Sequence, residues 1–357
     1  MEWGKTPSML FSVKKKLIGV DIGSSSIKIA DISVGKNEAT LNDFAFIQTP
    51  SGAIANGDIS DSVLLSDSIR TLHRENQFKS KNCSVGLSGT AVIVKKISMP
   101  RIDSKALLEQ VKYEASQYLP FDIDQITLDY HILPFSADPE KMDVLIVAAQ
   151  NEHILNTIST VKQAGLNCSI LDVQSLALAN IFEFNYGQLN ETIGILNFGA
   201  NITNFIVVYR GEVIFSRDIP AGGFLFTNEI SKNMGVTLDE AESLKISHSQ
   251  NQEVPEETRT HMNVALSQLL EEVRNSLDFY SANSQGLEIS KIFYTGGACQ
   301  TAELINSLVD QLHVPFEPFY PFRNIKNGNS KFSNDYLRQI TPFMSVAAGL
   351  ALRGENG

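Results

Sequence analysis

Two stretches of the sequence share one pattern: residues 17–32 read LIGVDIGSSSIKIADI, and residues 193–208 read IGILNFGANITNFIVV. Each is an apolar run, a glycine-centred turn of small residues and a second apolar run, which predicts a β-hairpin whose tip carries little side chain. Gly23 and Gly199 superpose at an offset of 176 residues, close to half of the 357-residue chain. Two ordinary hairpins could resemble each other by chance, but the half-length offset favours a duplicated domain.

The segments around each hairpin extend the repeat. A third strand follows in both halves, at Ala39–Gln48 and at Glu212–Ile219, and short apolar strands then alternate with amphipathic helices. Such alternation is typical of α/β architecture, and domains of about 100–200 residues make two lobes the natural division of this length.

The composition excludes several classes of protein. Apolar residues make up 43% and charged residues 19%, as in globular proteins. A net charge of −11 repels phosphate backbones, so we expect no nucleic-acid partner. No stretch approaches the roughly 18 uninterrupted apolar residues of a membrane span. Three scattered cysteines and the lack of a secretory pattern at the start predict a cytoplasmic location.

The first glycine turn is suited to binding phosphate. A phosphate group needs several backbone N–H donors with side chains out of the way, which Gly23, Ser24, Ser25 and Ser26 supply. Asp21, at the end of the preceding strand, could hold Mg²⁺ through water, and Lys28 on the next strand could reach a phosphate oxygen. Taken alone, the same residues also fit a tight turn with an aspartate cap and a solvated lysine.

Two further turns complete a possible nucleotide site. The chain has neither a G-x-x-x-x-G-K-[ST] motif nor a G-x-G-x-x-G motif after a strand, which disfavours P-loop and Rossmann sites. The remaining arrangement holds phosphate between two facing hairpins, the second formed by Gly199, Ala200 and Asn201. A third turn, Gly296-Gly297-Ala298, could accept a flat base or a ribose.

These motifs resemble those of the actin-like ATPase superfamily, which includes actin, the heat-shock chaperones, the sugar kinases and the cell-division protein FtsA. GVDIGSSSIK at residues 19–28 is similar to its first phosphate motif, and FYTGGA at residues 293–298 to its adenosine motif. AESLK at residues 241–245 resembles the helix whose Glu242 and Lys245 would approach the adenosine, although such a pair also fits an exposed helix without a ligand. The resemblance implies two ribonuclease-H-like lobes that bind ATP and Mg²⁺ between them.

A narrower resemblance is to the PilM family of type IV pilus assembly proteins, and residues 88–100, 107–133, 144–150, 171–182 and 342–353 carry it. It implies an N-terminal tail at 1–12, a first lobe at 13–91 plus 151–190, and an FtsA-type inserted subdomain at 92–150. The second lobe would comprise 191–222 plus 285–357, with a helical subdomain at 223–284.

The family resemblance also implies a role and partners. The protein would be a cytoplasmic scaffold, peripheral at the inner membrane, that binds the N-terminal tail of a PilN-like membrane protein and links it to the pilus motor, with possible self-association. The helix beginning at 103 carries Leu107, Leu108, Val111 and Tyr118 in an insert expected to have little core of its own. These four residues are therefore candidates for contacting the tail.

One departure from the superfamily pattern bears on catalysis. The superfamily carries aspartate before the glycine of the second hairpin, where this chain has Asn197. An amide cannot act as a carboxylate base and adds no charge to a Mg²⁺ shell, so the sequence predicts ATP binding with weak or no hydrolysis. An FtsA-like membrane-associated filament-forming ATPase is the alternative, which the lack of an amphipathic run at the end of the sequence disfavours. A small-molecule kinase is a third class, but no substrate motif is apparent.

Overall fold

The computed structural model describes residues 16–35, 38–55, 57–102 and 104–354, so the predicted tail at 1–12 lies outside it. The strands are β1 (Ile18–Ile22), β2 (Ser26–Val34), β3 (Ala39–Gln48), β4 (Ile54–Ala55), β5 (Asp58–Ile59), β6 (Asn82–Leu87), β7 (Val92–Pro100), β8 (Ile126–Ile132), β9 (Lys141–Gln150), β10 (Asn167–Val173), β11 (Thr192–Phe198), β12 (Thr203–Tyr209), β13 (Glu212–Ile219), β14 (Lys291–Thr295), β15 (Phe316–Pro318) and β16 (Ile325–Asn327). The helices are α1 (Ser62–Glu75), α2 (Ser104–Ser116), α3 (Asn151–Gln163), α4 (Gln174–Tyr186), α5 (Gly223–Met234), α6 (Leu238–Ser249), α7 (Glu256–Asn283), α8 (Leu304–Leu312) and α9 (Asn334–Ala351).

Five strands in each lobe form sheets of the same topology, and the first sheet carries β16 in addition. The first has the order β10-β6-β1-β2-β3-β16 and the second the order β13-β12-β11-β14-β15. In each, three antiparallel strands are followed by strands that run parallel to the first. Asp21 lies opposite Lys28 in the first hairpin, and Asn197 lies opposite Asn204 in the second. Because both pairs keep the 176-residue offset, the predicted duplication is confirmed.

Helices cover both faces of the first sheet, which buries almost all side chains of its central strands β1 and β6. Leu65 and Ile69 of α1 and Val161 of α3 are buried against Ile18 and Val20 of β1 on one face. On the other face α9 packs across β1, β2 and β6 and against α4. Gly19 permits this approach, because a Cβ there would lie 2.1 Å from the carbonyl oxygen of Ala347.

The last part of the chain returns to the first lobe. Strand β16 pairs in parallel with Ala39–Leu41 of β3, and α9 packs on the same sheet. Arg353 forms a buried ion pair of 3.0 Å with Asp172 at the end of β10. The predicted division assigned all of 285–357 to the second lobe, and the structure differs from it in placing β16 and α9 against the first.

The insert is a separate antiparallel sheet, β7-β9-β8, covered by α2. Its buried side chains include Ile97, Met99, Val111, Val144 and Ile146. The expectation that the insert has little core of its own is therefore wrong. The predicted helix start at residue 103 lies outside the described residues.

The second lobe carries the helices α5, α6 and α7. Thr237 and Glu240 form a capping box at the start of α6, in which each side chain accepts the backbone N–H of the other residue. The apolar face of α7, including Leu269 and Val273, is buried in the core of this lobe. Among the described helices, none is long and apolar enough to cross a membrane.

Candidate nucleotide-binding cleft

A cleft of about 500 Å³ lies between the tips of the two hairpins. Its lining includes every residue that the sequence assigned to nucleotide or metal: Asp21, Gly23, Ser24, Ser25, Ser26, Lys28, Gly199, Ala200, Asn201, Glu242, Lys245, Gly296, Gly297 and Ala298. These residues come from four separate parts of the chain, and the fold brings them together around one cavity.

Hydrogen bonds to its carbonyl groups fix the conformation of the first hairpin tip. Gly23 N–H donates to Ser26 O at 3.1 Å, and Thr49 donates to two tip carbonyls, its hydroxyl to Gly23 at 2.6 Å and its N–H to Ser25 at 3.0 Å. The backbone N–H groups of Ser24 and Ser25 donate to no acceptor among the described residues. With its carbonyls occupied, the tip offers these N–H groups to an anion.

Asp21 and Lys28 form a pair beneath this tip. The Lys28 Nζ lies 3.0 Å from Asp21 Oδ2, and Gln174 Nε2 donates to Asp21 Oδ1 at 3.2 Å. Asp21 is only 4% exposed, so it is held in one orientation by two partners. Gln174 opens α4 and was not singled out from the sequence, because no motif marks it and its contact with Asp21 spans 153 residues.

The second hairpin tip repeats the first in a different setting. Gly199 N–H donates to Ile202 O at 3.0 Å, the counterpart of the Gly23 bond. The carbonyls of Gly199 and Ala200 accept from the N–H groups of Gly223 and Phe224, at 2.9 and 2.8 Å, at the start of α5. The N–H groups of Ala200 and Asn201 have no acceptor in the described part of the chain. Two tips with available N–H groups therefore face the same space.

An amide pair replaces the ion pair in the second lobe. Asn197 Nδ2 donates to Asn204 Oδ1 at 2.7 Å, and Asn204 Nδ2 donates to Asp218 Oδ1 at 2.7 Å. The other oxygen of Asp218 accepts the N–H of Gly89, in the first lobe, at 3.0 Å. Burial raises the pKa of Asp218, and the bonds from Asn204 and Gly89 oppose part of that rise.

The far end of the cleft carries the residues expected near an adenosine. Lys245 Nζ lies 2.7 Å from Glu242 Oε2 and also contacts the hydroxyl of Thr227 at 3.1 Å. Gly296 has a φ of +93°, and a Cβ there would lie 2.3 Å from Phe198 O. Glycine is therefore required where this turn meets the second hairpin.

An aromatic ring and a cysteine flank the third glycine turn. The ring of Phe343, from α9, covers Gly297 so closely that a Cβ would approach it to 2.8 Å. Burial raises the pKa of the neighbouring Cys299 thiol to about 12, which makes it a packed side chain and not a nucleophile. Phe343 could not be assigned from sequence, because α9 is remote from the turn along the chain.

The donor set of the cleft fits a nucleotide phosphate with a solvated cation. Backbone N–H groups from two tips and Lys28 suit anionic oxygens. The described residues contain no cluster of three or more His, Cys, Asp or Glu side chains able to hold a metal by themselves. Mg²⁺ would thus depend on phosphate oxygens and water, with Asp21 contacting that water, as is usual for this ion.

The four candidate peptide contacts do not share one surface. Leu107 and Val111 are 3% and 0% exposed in the core of the insert, so assigning them to a peptide is wrong for this conformation. Leu108 and Tyr118 are 43% and 51% exposed, and Lys95 Nζ lies 4.4 Å from the centre of the Tyr118 ring. The helical periodicity identified an apolar face but not what covers it.

A second cavity of about 330 Å³ lies where the insert meets both lobes. Val92 and Val94 of β7 form one wall, Ser216 and Asp218 of β13 form another, and Gly89 of the first lobe lies between them. We call this cavity the insert groove. Both β7 and β13 are edge strands, with no described strand paired to their outer sides.

The repeated sheets, the paired hairpin tips and the cleft between them define a two-lobed protein of the actin-like ATPase fold. The family model for type IV pilus assembly protein PilM matches residues 19–355, and the chain belongs to this family. A chain of the solved PilM–PilN type IV pilus biogenesis complex superposes with a TM-score of 0.86 at 27% identity, covering 96% of this chain and 99% of that one.

More distant relatives share the fold. FtsA of Bacillus subtilis is 23% identical over 64% of this chain and 57% of its own length, and EutJ of Escherichia coli is 22% identical over 51% of this chain and 61% of its own. The chain thus spans about three-fifths of these relatives. MreB5 of Spiroplasma citri bound to ADP superposes with a TM-score of 0.52 at 11% identity, covering 95% of each chain, which supports the fold alone.

Proposed function

We propose that the protein is a nucleotide-binding scaffold of type IV pilus assembly that binds the cytoplasmic tail of a PilN-like inner-membrane protein. The near-complete superposition on the PilM–PilN complex is the observation that carries this proposal. The scaffold would act in the cytoplasm, held at the inner membrane by its partner. Contact with the pilus motor and self-association belong to the same proposal.

ATP with Mg²⁺ is the proposed ligand of the cleft. All residues expected to contact phosphate or adenosine line one cavity, and a solved relative of this fold binds ADP. Bound Mg²⁺ would neutralise phosphate charge, while the two tips and Lys28 hold the phosphate chain and Glu242 and Lys245 flank the adenosine end.

Hydrolysis is proposed to be weak or absent. Asn197 stands where a carboxylate could orient metal and water, and its amide donates to Asn204 at 2.7 Å. A neutral amide accepts no proton from an attacking water. The cleft is therefore better suited to holding a nucleotide than to turning it over.

The insert groove is the proposed site of the partner tail. It lies where the insert meets both lobes and not beside the buried face of α2. An extended tail could pair with the free edge of β7 while its side chains contact Val92 and Val94.

Titration calorimetry with a synthetic peptide of the cognate PilN tail tests this site. Ser216→Trp would fill the groove, and we expect it to weaken binding at least 10-fold. Ser98→Trp, on an exposed part of β7 away from the groove, is the matched control and should leave the affinity within 2-fold. Absence of binding by the wild type would contradict the proposed function, and equal effects of the two variants would contradict the site.

A further inference from the structure

The second hairpin is a wall shared by the nucleotide-binding cleft and the insert groove. Ile202, at its tip, lines both cavities. The Cδ1 atom of Ile202 reaches the first lobe, where a Cβ built on Gly57 or Gly89 would lie 3.5 or 3.9 Å from it. A shift of this tip therefore changes both cavities at once.

A directed chain of hydrogen bonds runs through the same wall. Asn197 donates to Asn204, Asn204 donates to Asp218, and Asp218 accepts the N–H of Gly89. Asn197 and Asn204 line the cleft, whereas Asp218 and Gly89 line the groove. Gly89 precedes β7, the strand that forms one wall of the insert groove. These hydrogen bonds therefore connect the cleft to the base of the insert.

We propose that Asp218 couples nucleotide in the cleft to the partner tail in the groove, an inference that rests on the proposed function. The Asn204 amide has one orientation that accepts from Asn197 and donates to Asp218, and the Asn197 amide has one orientation that donates to Asn204. A phosphate that takes the second N–H of Asn197 favours this orientation, which keeps Asn204 donating to Asp218. The carboxylate then holds Gly89, and the groove keeps the shape that accepts the tail.

The direction of the effect follows from this geometry. Nucleotide should strengthen binding of the tail, and by thermodynamic reciprocity the tail should strengthen binding of nucleotide by the same factor. Coupling between two sites in proteins is typically about 5- to 150-fold. We expect the factor to fall in that range for the wild type.

The test measures the affinity of the cognate PilN tail peptide for the full chain with and without saturating Mg·AMPPNP. Asp218→Asn keeps the size of the side chain but places an NH₂ group against a donor, either Asn204 or Gly89, so one bond is lost. In this variant, saturating nucleotide should change the affinity for the tail by less than about 2-fold. Asp143→Asn is the control, because Asp143 is a hydrogen-bonded carboxylate as well, 3.3 Å from Lys96, and lines neither cavity.

The outcomes separate the two proposals. If the wild type binds neither ligand, the proposed function fails and this inference fails with it. If both ligands bind but the factor is 1, or if Asp218→Asn keeps the wild-type factor, only the coupling is overturned. Loss of coupling in Asp218→Asn together with its retention in Asp143→Asn supports the proposal.

Hydrogen exchange on the wild type keeps the proposal testable if Asp218→Asn does not fold. Saturating Mg·AMPPNP without the tail should slow exchange of the Gly89 amide at least 5-fold, because nucleotide stabilises its bond to Asp218. Exchange of Gly89 at the same rate with and without nucleotide would overturn the coupling.

Discussion

At the scale of single residues, the duplication lets one position be compared in two settings. Asp21 and Lys28 form an ion pair at 3.0 Å in the first lobe, whereas Asn197 and Asn204 form an amide pair at 2.7 Å in the second. The strand register is the same, so the difference is chemical and not geometric. The first hairpin brings charged side chains to the cleft, and the second brings neutral amides.

Lys28→Met should weaken the binding of Mg·ATP by about 10- to 150-fold, because a hydrogen bond to a charged group contributes about 1.5–3 kcal/mol. Lys28→Arg keeps the charge and should retain most of the affinity. Calorimetry on both variants, with circular dichroism to confirm folding, makes the comparison. An unchanged affinity in Lys28→Met would show that Lys28 serves only to pair Asp21.

At the scale of secondary-structure elements, local pattern predicted much of the fold. The observed bounds of β3 and β13 coincide with the predicted strands, and Thr237 and Glu240 stand at the spacing of the capping box that opens α6. Apolar alternation and caps are local signals, so one sequence is enough to read them. The glycine turns were likewise identified because a tip without side chains is visible in the sequence.

The remaining elements depend on partners far along the chain. Strand β16 has three residues and gains its place by pairing with β3, which precedes it by more than 280 residues. Helix α9 contains Pro342, which argues against a helix in sequence but supplies the carbonyl that accepts the Gly296 N–H at 2.9 Å. Gln174 and Phe343 enter the cleft from α4 and α9, so only the tertiary structure identifies them.

Gly19→Ala tests the contact between β1 and α9. A Cβ at this position would lie 2.1 Å from the carbonyl oxygen of Ala347 and 2.5 Å from the N of Ala351, so the helix must move. We expect a loss of about 1–3 kcal/mol in the free energy of unfolding, measured by urea denaturation. Gly35→Ala is the control, since its nearest neighbour would be 3.4 Å away. Equal stability of the two variants would mean that α9 packs less closely on β1 than described.

At the scale of the whole molecule, the insert belongs to the first lobe in sequence but also packs on the second. Leu133 and Leu145 are buried in the large core that includes β13 and α4, and Phe135 packs edge-on against Tyr209 at 5.3 Å. His131 Nε2 adds a contact of 3.0 Å to Glu212 Oε2. The insert thus contacts both lobes. The insert groove therefore lies at the junction of the first lobe, the second lobe and the insert.

The His131–Glu212 pair should make stability depend on pH. The hydrogen bond with Glu212 raises the pKa of His131 above its ordinary value of 6.5, and burial opposes the rise. The stabilisation is therefore complete below pH 6.5 and is lost as the pH rises through the folded-state pKa. Because both side chains are partly exposed, we expect less than about 1 kcal/mol.

Urea denaturation of wild type and His131→Gln at pH 6.0 and pH 8.5 measures this contribution. The wild type should be the more stable of the two at pH 6.0, and the difference should shrink at pH 8.5. A difference that grows with pH would contradict the assigned sign.

We propose that the cleft binds ATP and does not turn it over efficiently. A single experiment on the pure full chain measures it most directly: the stoichiometry of Mg·ATP binding, followed by phosphate release from the same sample. We expect one ATP bound for each chain and less than one phosphate released for each chain over an hour. Absence of binding, or steady release over many turnovers that Asp21→Ala abolishes, would contradict the account.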